Sequence, residues 1–258
     1  MKIGIYTILL STIIGCTAQK IDNASEYVGN SYNSKIKLDT ITYLDKSRNR
    51  KIPVATFQPI KKIIKRTLII FSHGYGGNKL GENLRYNYLT KALAAKGNYV
   101  VSIQQELPSD PALPLTGNLQ VERKPSWEKG ADNIMYVIQE LKLNSANVNF
   151  DDIVLIGHSQ GGDMSALFQQ KYPNIASKII TMDNRRMALP RTSNPKIYSL
   201  RASEFEADQG VIPTKQEQEK FNIKVITVDA KHSDMGGNQG TVQQKKLFIK
   251  IISSFLKD

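Results

Sequence analysis

Gly157-His158-Ser159-Gln160-Gly161-Gly162 lies between a short apolar run, Ile153-Val154-Leu155-Ile156, and a helix-like stretch, Met164 to Lys171. A serine with glycine two residues away on each side, set between strand and helix, implies a turn so tight that its central residue takes a strained backbone conformation. Gly157 and Gly161 are then required on steric grounds, because a Cβ at either position would meet neighbouring backbone. Gly162 allows the following helix to pack closely on the strand. Such a turn lifts the Ser159 hydroxyl clear of a sheet. It also leaves the Gln160 N–H at the start of a helix, where it can meet a developing negative charge. A flexible surface loop uses the same residues, but the apolar run before and the amphipathic segment after favour the sharp turn.

A serine nucleophile needs a base, and the chain has three histidines. His158 adjoins the serine, so its ring is expected to point elsewhere. His73 lies in Phe71-Ser72-His73-Gly74-Tyr75, directly after the apolar run Thr67 to Ile70. His232 follows the strand-like run Ile223 to Val228 near the C-terminus, and elimination makes it the base. The acid that orients it should lie beyond a strand between Ser159 and His232. Lys178 to Met182 ends at Asp183, and Lys196 to Leu200 runs on to Glu204, Glu206 and Asp208. Asp208 precedes the turn Gln209-Gly210-Val211-Ile212-Pro213 and is the preferred acid, with Asp183 the alternative. Asp229 and Asp234 flank His232 too closely to reach its Nδ1 easily and are read as structural.

Taken together, Ser72-His73-Gly74, Gly157 to Gly162, Asp208 to Pro213 and Lys231-His232-Ser233 stand in an order and rough spacing that resembles the α/β-hydrolase superfamily. The chain looks like a bacterial carboxylesterase- or lipase-like member over Lys35 to Asp258. The resemblance implies an α/β fold with a mostly parallel central sheet and helices on both faces. It also implies an oxyanion hole built from the N–H groups of Gln160 and of Tyr75 or Gly74. One departure falls in the acid region, Arg201 to Asp208, where many relatives carry a glycine soon after the strand.

The N-terminus reads as an export signal. Lys2 is followed by the apolar stretch Ile3 to Ile14 and then by Gly15-Cys16, too short to span a bilayer as a helix. Ile13-Ile14-Gly15-Cys16 resembles a bacterial lipobox, whose cysteine becomes lipidated residue one. Residues 1–15 are therefore expected to be a lipoprotein signal peptide, 16–34 a polar tether and 35–258 the hydrolase domain. The expected location is the bacterial cell envelope, with the outer membrane favoured, and the membrane partner is engaged through the lipid on Cys16. Cys16 is the only cysteine, which removes any cysteine nucleophile or cysteine-based metal site elsewhere.

The 258 residues suit one α/β domain. The net charge of +12 favours anionic partners such as lipid head groups or acidic polysaccharide. Its basic pairs, among them Arg185-Arg186 and Lys245-Lys246, are scattered, and no nucleic-acid recognition motif is present. Ile36 to Leu44 is expected to pair with Ile52 to Phe57, and Leu68 to Phe71 and Tyr99 to Ile103 are further strands. Helices are expected over Asn83 to Lys96, over Trp127 to Leu143 with Ser126 as N-cap, and over Val242 to Leu256. From Gln104 to Pro125 four prolines break every period, and this stretch reads as a short lid or pocket wall.

The chemistry these residues point to is two-step acyl transfer. Ser159 attacks an ester carbonyl, His232 moves the proton and an acyl-enzyme forms, with no metal and no cofactor required. The substrate is then a small-molecule, lipid or polysaccharide ester, and a peptidase or thioesterase would use the same residues. A non-catalytic lipoprotein of this fold that binds glycan or lipid is the competing class. A zinc site of His232 with Asp229 and Asp234 lacks further histidines nearby.

Overall fold

Eight strands form one sheet in the order β1-β2-β4-β3-β5-β6-β7-β8. The computed structural model describes residues 23–61, 63–237 and 239–258, so the signal segment 1–15 and Cys16 lie outside the described residues. β1 (Ile36–Asp45) and β2 (Arg50–Pro59) are an antiparallel hairpin, with Ile36 opposite Pro59 and Asp45 opposite Arg50. The Asp45 carboxylate organises the turn between them, accepting from Ser47 N–H at 3.0 Å and from Arg48 Nε at 2.5 Å. β2 pairs antiparallel with β4 (Tyr99–Ile103). All other pairings are parallel and run from β4 through β3 (Arg66–Ser72), β5 (Val148–His158), β6 (Lys178–Met182) and β7 (Lys196–Ala202) to β8 (Lys224–Val228).

The central strands read as unbroken apolar runs because both of their faces are covered. In β3, Leu68 and Ile70 join the core with Ile134, Ile138 and Leu141 of α4 (Lys124–Asn144) and Phe168 of α5 (Gln160–Lys171). Ile69 and Phe71, one residue out of step, join the opposite core. There they meet Leu89 and Leu93 of α2 (Asn87–Ala95) and Phe248 and Ile252 of α7 (Val242–Lys257). The period of two along the strands and of 3.6 along the helices thus divides one apolar sequence between two layers. α3 (Leu119–Glu122) and α6 (Lys215–Phe221) are short peripheral helices.

Three local expectations need correction. The second half of the supposed tether is folded onto the domain: α1 (Ala24–Asn30) is capped by the Asn23 side chain and buries Ala24 and Val28. α4 begins at Lys124 with Pro125 in its first turn, where a missing N–H is no loss, so Ser126 does not cap it. Asn83 to Lys96 is a 3₁₀ turn, Glu82–Leu84, followed by α2 rather than one helix.

Parallel strands deliver their carboxyl ends to a single rim, where a ligand crevice forms in open α/β sheets. His73, Ser159, Asp183 and the loop carrying His232 follow β3, β5, β6 and β8 on that rim. Its packing tolerates no added atoms at Gly157 and Gly161. A Cβ on Gly161 would lie 2.2 Å from the Ser72 carbonyl oxygen, and one on Gly157 would lie 2.1 Å from the Gly161 carbonyl oxygen. Both obstacles are backbone and cannot rotate away. Gly161→Ala is expected to cost about 3 kcal/mol and to lower Tm by roughly 6–12 °C, measured by thermal melting in circular dichroism.

Candidate active site

Ser159 stands at the junction of β5 and α5 with φ 52° and ψ −122°, the strained conformation expected of the turn. Its N–H donates to the Met182 carbonyl at 2.8 Å, extending the β5–β6 ladder one step past the pair His158–Met182. His232 opens a 3₁₀ turn, His232–Met235, beyond β8. Its Nε2 accepts from the Ser159 hydroxyl at 2.9 Å, and its Nδ1–H donates to Asp183 Oδ2 at 2.5 Å. Ser159 and His232 are brought together as expected from the sequence.

The carboxylate on the histidine is Asp183, not Asp208. Asp183 is the first residue after β6, the strand beside the elbow strand, and its N–H continues the ladder to Leu200 at 2.8 Å. Asp208 lies six positions past the end of β7, is a third exposed, and forms an ion pair with Arg186. Its own N–H donates to the Arg185 carbonyl at 3.0 Å. Asp208 therefore fastens the loop after β7 to the loop after β6. Glu204 reaches His232 as well, but through the backbone N–H at 3.0 Å.

Asp183 is fully buried, and burial by itself would raise its pKa. The hydrogen bond from His232 and the charges of Arg201 and Arg185 outweigh burial and bring it down to about 2. Arg201 Nη2 is 2.9 Å from Oδ1, and Arg185 Nη2 is 3.0 Å from Oδ2. The Ala202 N–H adds a bond to Oδ1 at 3.2 Å. The group thus stays anionic throughout the neutral range.

Two further histidines are buried near the triad. His73 is buried; its Nδ1–H donates to the Gly74 carbonyl at 2.7 Å, and its Nε2 accepts from Gln105 N–H at 2.9 Å. His158 is buried too, and burial pushes its pKa well below 6.5, so its ring carries one proton. A carbonyl only accepts, so the contact from His158 Nε2 to the His232 carbonyl, 3.1 Å, places that proton on Nε2. Nδ1 then accepts from Tyr86 Oη–H at 2.8 Å, and Tyr86 Oη accepts from Gly74 N–H at 3.2 Å. One chain of hydrogen bonds of fixed direction ties the loop after β3 to the histidine loop.

That chain bears on the proposed oxyanion donors. The Gly74 N–H is taken by Tyr86, and the Gly76 N–H is taken by Glu106 Oε2 at 3.1 Å. Of the two expected donors on this loop, Gly74 and Tyr75, only Tyr75 keeps its N–H unspent, while Gln160 is the first residue of α5. Beside Tyr75 and Gln160 opens a cavity of about 400 Å³, walled in part by Leu113, Pro114 and Ser126. The segment Gln104 to Pro125 thus contributes to a pocket wall. Ser126, expected as a helix cap, instead accepts from Gln160 Nε2 at 3.0 Å.

Lys245 was read in the sequence as part of a scattered basic pair, yet it is fully buried. Its Nζ donates to the carbonyls of Asp234, at 2.7 Å, and of Gly236, and sits 4.4 Å from the centre of the Tyr88 ring. Tyr88 Oη donates to the intervening Met235 carbonyl at 2.9 Å. Three successive carbonyls of the histidine loop are held from beneath, and burial lowers the Lys245 pKa to about 7. The sequence carried a signal: Lys245 falls on the stripe of Phe248, Ile249 and Ile252. Tyr86 and Glu106 were also missed, and no sequence period marks either. Among the described residues no group of three or more His, Cys, Asp and Glu side chains is gathered as for a metal ion. Asp234 turns its carboxylate to the Lys231 N–H at 2.9 Å.

Solved structures that superpose on this chain include several esterases. A ferulic acid esterase from Streptomyces cinnamoneus superposes with a TM-score of 0.65 over 87% of this chain and 89% of its own, at 14% identity. A fungal esterase from Rhizomucor miehei gives 0.63 over 93% and 91%, at 16% identity. Brefeldin A esterase, described as a bacterial homologue of human hormone-sensitive lipase, gives 0.62 over 90% and 84%, at 12% identity. The chain has the α/β-hydrolase fold. No protein-family model and no curated protein matches it.

The two carboxylates are separable by experiment. Asp183→Asn leaves the shape but removes the acceptor that fixes the His232 tautomer, and should lower kcat for an activated ester by about four powers of ten. Asp208→Asn should change kcat by no more than a few-fold. Steady-state kinetics on p-nitrophenyl acetate checks both, and a larger loss in Asp208→Asn would reverse the assignment.

Proposed function

We propose that this protein is a carboxylic ester hydrolase working through Ser159, His232 and Asp183. The observation that carries the reading is the unbroken line of hydrogen bonds from the Ser159 hydroxyl through both nitrogens of His232 to an anionic Asp183. His232 Nε2 takes the serine proton as Oγ attacks the ester carbonyl, and Asp183 stabilises the imidazolium that forms. The N–H groups of Gln160 and Tyr75 hold the oxyanion, helped by the positive end of α5. His232 returns the proton to the departing alkoxide, and water releases the acyl group by the reverse path. The esterase identity of the structural neighbours supports an ester over an amide or thioester as the bond cleaved.

A purely binding role fits this geometry less well. A binder has no use for a strained serine aligned with a histidine and a buried carboxylate kept charged by two arginines. A fluorophosphonate probe should label the wild-type protein at Ser159, and Ser159→Ala should lose both the label and about six powers of ten in kcat. An unlabelled wild type that turns over no ester would favour the binding role.

We also propose that the protein is anchored in the bacterial envelope by lipid on Cys16, on the strength of the short apolar stretch ending in Ile13-Ile14-Gly15-Cys16. Among the described residues no helix is long and apolar enough to cross a membrane, so attachment on this reading comes from the lipid. Cells fed an alkyne analogue of palmitate should label the wild type, and Cys16→Ser should abolish the label and release the protein from the membrane fraction.

A further inference from the structure

Lysines far apart in the sequence meet on one side of the molecule. Lys96, just past α2, and Lys246, Lys250 and Lys257 of α7 line a surface groove of about 460 Å³. The three on α7 follow one another at intervals of four and seven residues, which keeps them on one stripe of the helix. All four are exposed, and among the described residues none forms an ion pair. No carboxylate lines the groove. The helices of this layer, α1, α2 and α7, hold one acid between them, Glu26, and Asp258 beyond α7 is paired with Lys224. Cations gathered without counter-ions repel one another, and an anionic partner relieves that repulsion.

The neighbouring loop adds apolar side chains among further lysines. Ile60 and Ile64 are 64% and 76% exposed, with Lys61 and Lys65 beside them in the chain. Ile63 reaches Gly97, next to Lys96, so closely that a Cβ there would lie 3.1 Å from Ile63 Cδ1. The Ile60 N–H donates to the Lys35 carbonyl at 3.0 Å. Exposed isoleucines set among lysines suit the boundary between lipid head groups and acyl chains.

The chain enters the domain through this same layer. α1 packs against α2 and α7, and Asn23 at its start stands seven steps after Cys16. Seven steps of chain span at most about 25 Å, so a lipid on Cys16 holds the start of α1 within that distance of the bilayer it enters. None of the groove's residues comes from the loops after β3, β5, β6 or β8, so the rim that carries Ser159 is not part of this face.

We propose that the face formed by Lys96, Lys246, Lys250 and Lys257, with Ile60 and Ile64 at its margin, docks on an anionic phospholipid surface. The assignment rests on the Cys16 anchoring above, which supplies the membrane. A bilayer suits the face better than a free phosphate, because the α7 lysines alone are spread along about 16 Å of helix. It suits the face better than an acidic polysaccharide, which has no use for the two isoleucines.

The test is a lysine footprint of the full-length protein mixed with phosphatidylcholine vesicles, with or without phosphatidylglycerol, at about 0.1 M salt. Single-hit acetylation is followed at each lysine by mass spectrometry. With phosphatidylglycerol present, Lys96, Lys246, Lys250 and Lys257 should react at least about fivefold more slowly than without it. Lys46, Lys51, Lys142 and Lys215, exposed on other elements, should change by less than about twofold. Each lysine beside an anionic leaflet contributes about fivefold in affinity, so Lys246→Gln with Lys250→Gln should remove most of the protection of Lys96 and Lys257. Equal reaction with both kinds of vesicle, equal protection of the comparison lysines, or protection that survives the double substitution would each overturn the docking face. Dextran sulfate protecting the four lysines as well as the vesicles do would overturn it in favour of an acidic polysaccharide. Failure of the anchor is read separately: the wild type would not float with phosphatidylcholine vesicles, while the footprint that depends on phosphatidylglycerol would remain.

Discussion

The hydrogen bond from Ser159 N–H to the Met182 carbonyl, at 2.8 Å, sets the geometry on which the site depends. It carries the parallel β5–β6 register past the last strand residue, so Ser159 and Asp183 leave neighbouring strands at the same height. Both backbones turn into the positive-φ region there, 52° at Ser159 and 50° at Asp183. Non-glycine residues hold such angles only where the surroundings over-determine them. Here the surroundings are the ladder on one side and, on the other, the close approach of α5 to the Ser72 and His73 carbonyls that Gly161 permits. The nucleophile and the acid are placed by sheet register, and only the histidine arrives on a loop.

That loop is consequently the part needing most support, and it receives it from three directions. Lys245 and Tyr88 hold the carbonyls of residues 234 to 236 from the α7 and α2 side. Glu204 holds the His232 N–H from the loop after β7. His158 Nε2–H holds the His232 carbonyl from the elbow itself. The ring is thus aimed by its backbone before either ring nitrogen forms a bond. The His158 link runs on through Tyr86 to Gly74, so the base and the loop carrying Tyr75 are braced by one buried path. Fully satisfied buried networks of this kind rigidify what they connect.

What could be read from the chain follows from whether the constraint is local. The elbow was legible because its requirements, strand, glycines and helix, fall within about twenty consecutive residues. Unbroken apolar runs likewise marked the central strands, and elimination among three histidines singled out His232. The sequence favours Asp208 over Asp183, the reverse of what the structure shows, because both follow strands and only Asp208 precedes an evident turn. The difference is that β6 lies next to β5 in the sheet, and sheet neighbourhood is a long-range property. Residues 24–30 read as polar tether because, of the four residues α1 buries, Ala24, Ser25, Val28 and Gly29, only Ala24 and Val28 are apolar side chains, too few to mark a stripe. Lys245 was hidden for the opposite reason, its charge masking membership of an otherwise apolar stripe.

The three buried carboxylates near the rim show that burial alone does not decide ionisation. Asp183, Asp163 and Glu106 are all at most 2% exposed. Asp183 faces His232 and two arginines, and its pKa falls to about 2. Asp163 accepts the Arg186 and Met187 N–H groups, at 3.1 and 2.8 Å, but touches no cation, and burial prevails to bring it up to about 6. Glu106 likewise has backbone donors and no cationic one, and burial brings it up to about 7. Cationic partners separate Asp183 from the other two, because they offset desolvation of the anion more than neutral donors do. The separation also sorts the groups by use. Asp163 ties α5 to the loop whose Arg185 charges Asp183, while Asp183 must be an anion before His232 can become a cation. Glu106, raised to about 7, fastens the Gly76 N–H and so braces the loop that carries Tyr75. Environments that push carboxyl groups apart in this way divide one chemical type into separate roles.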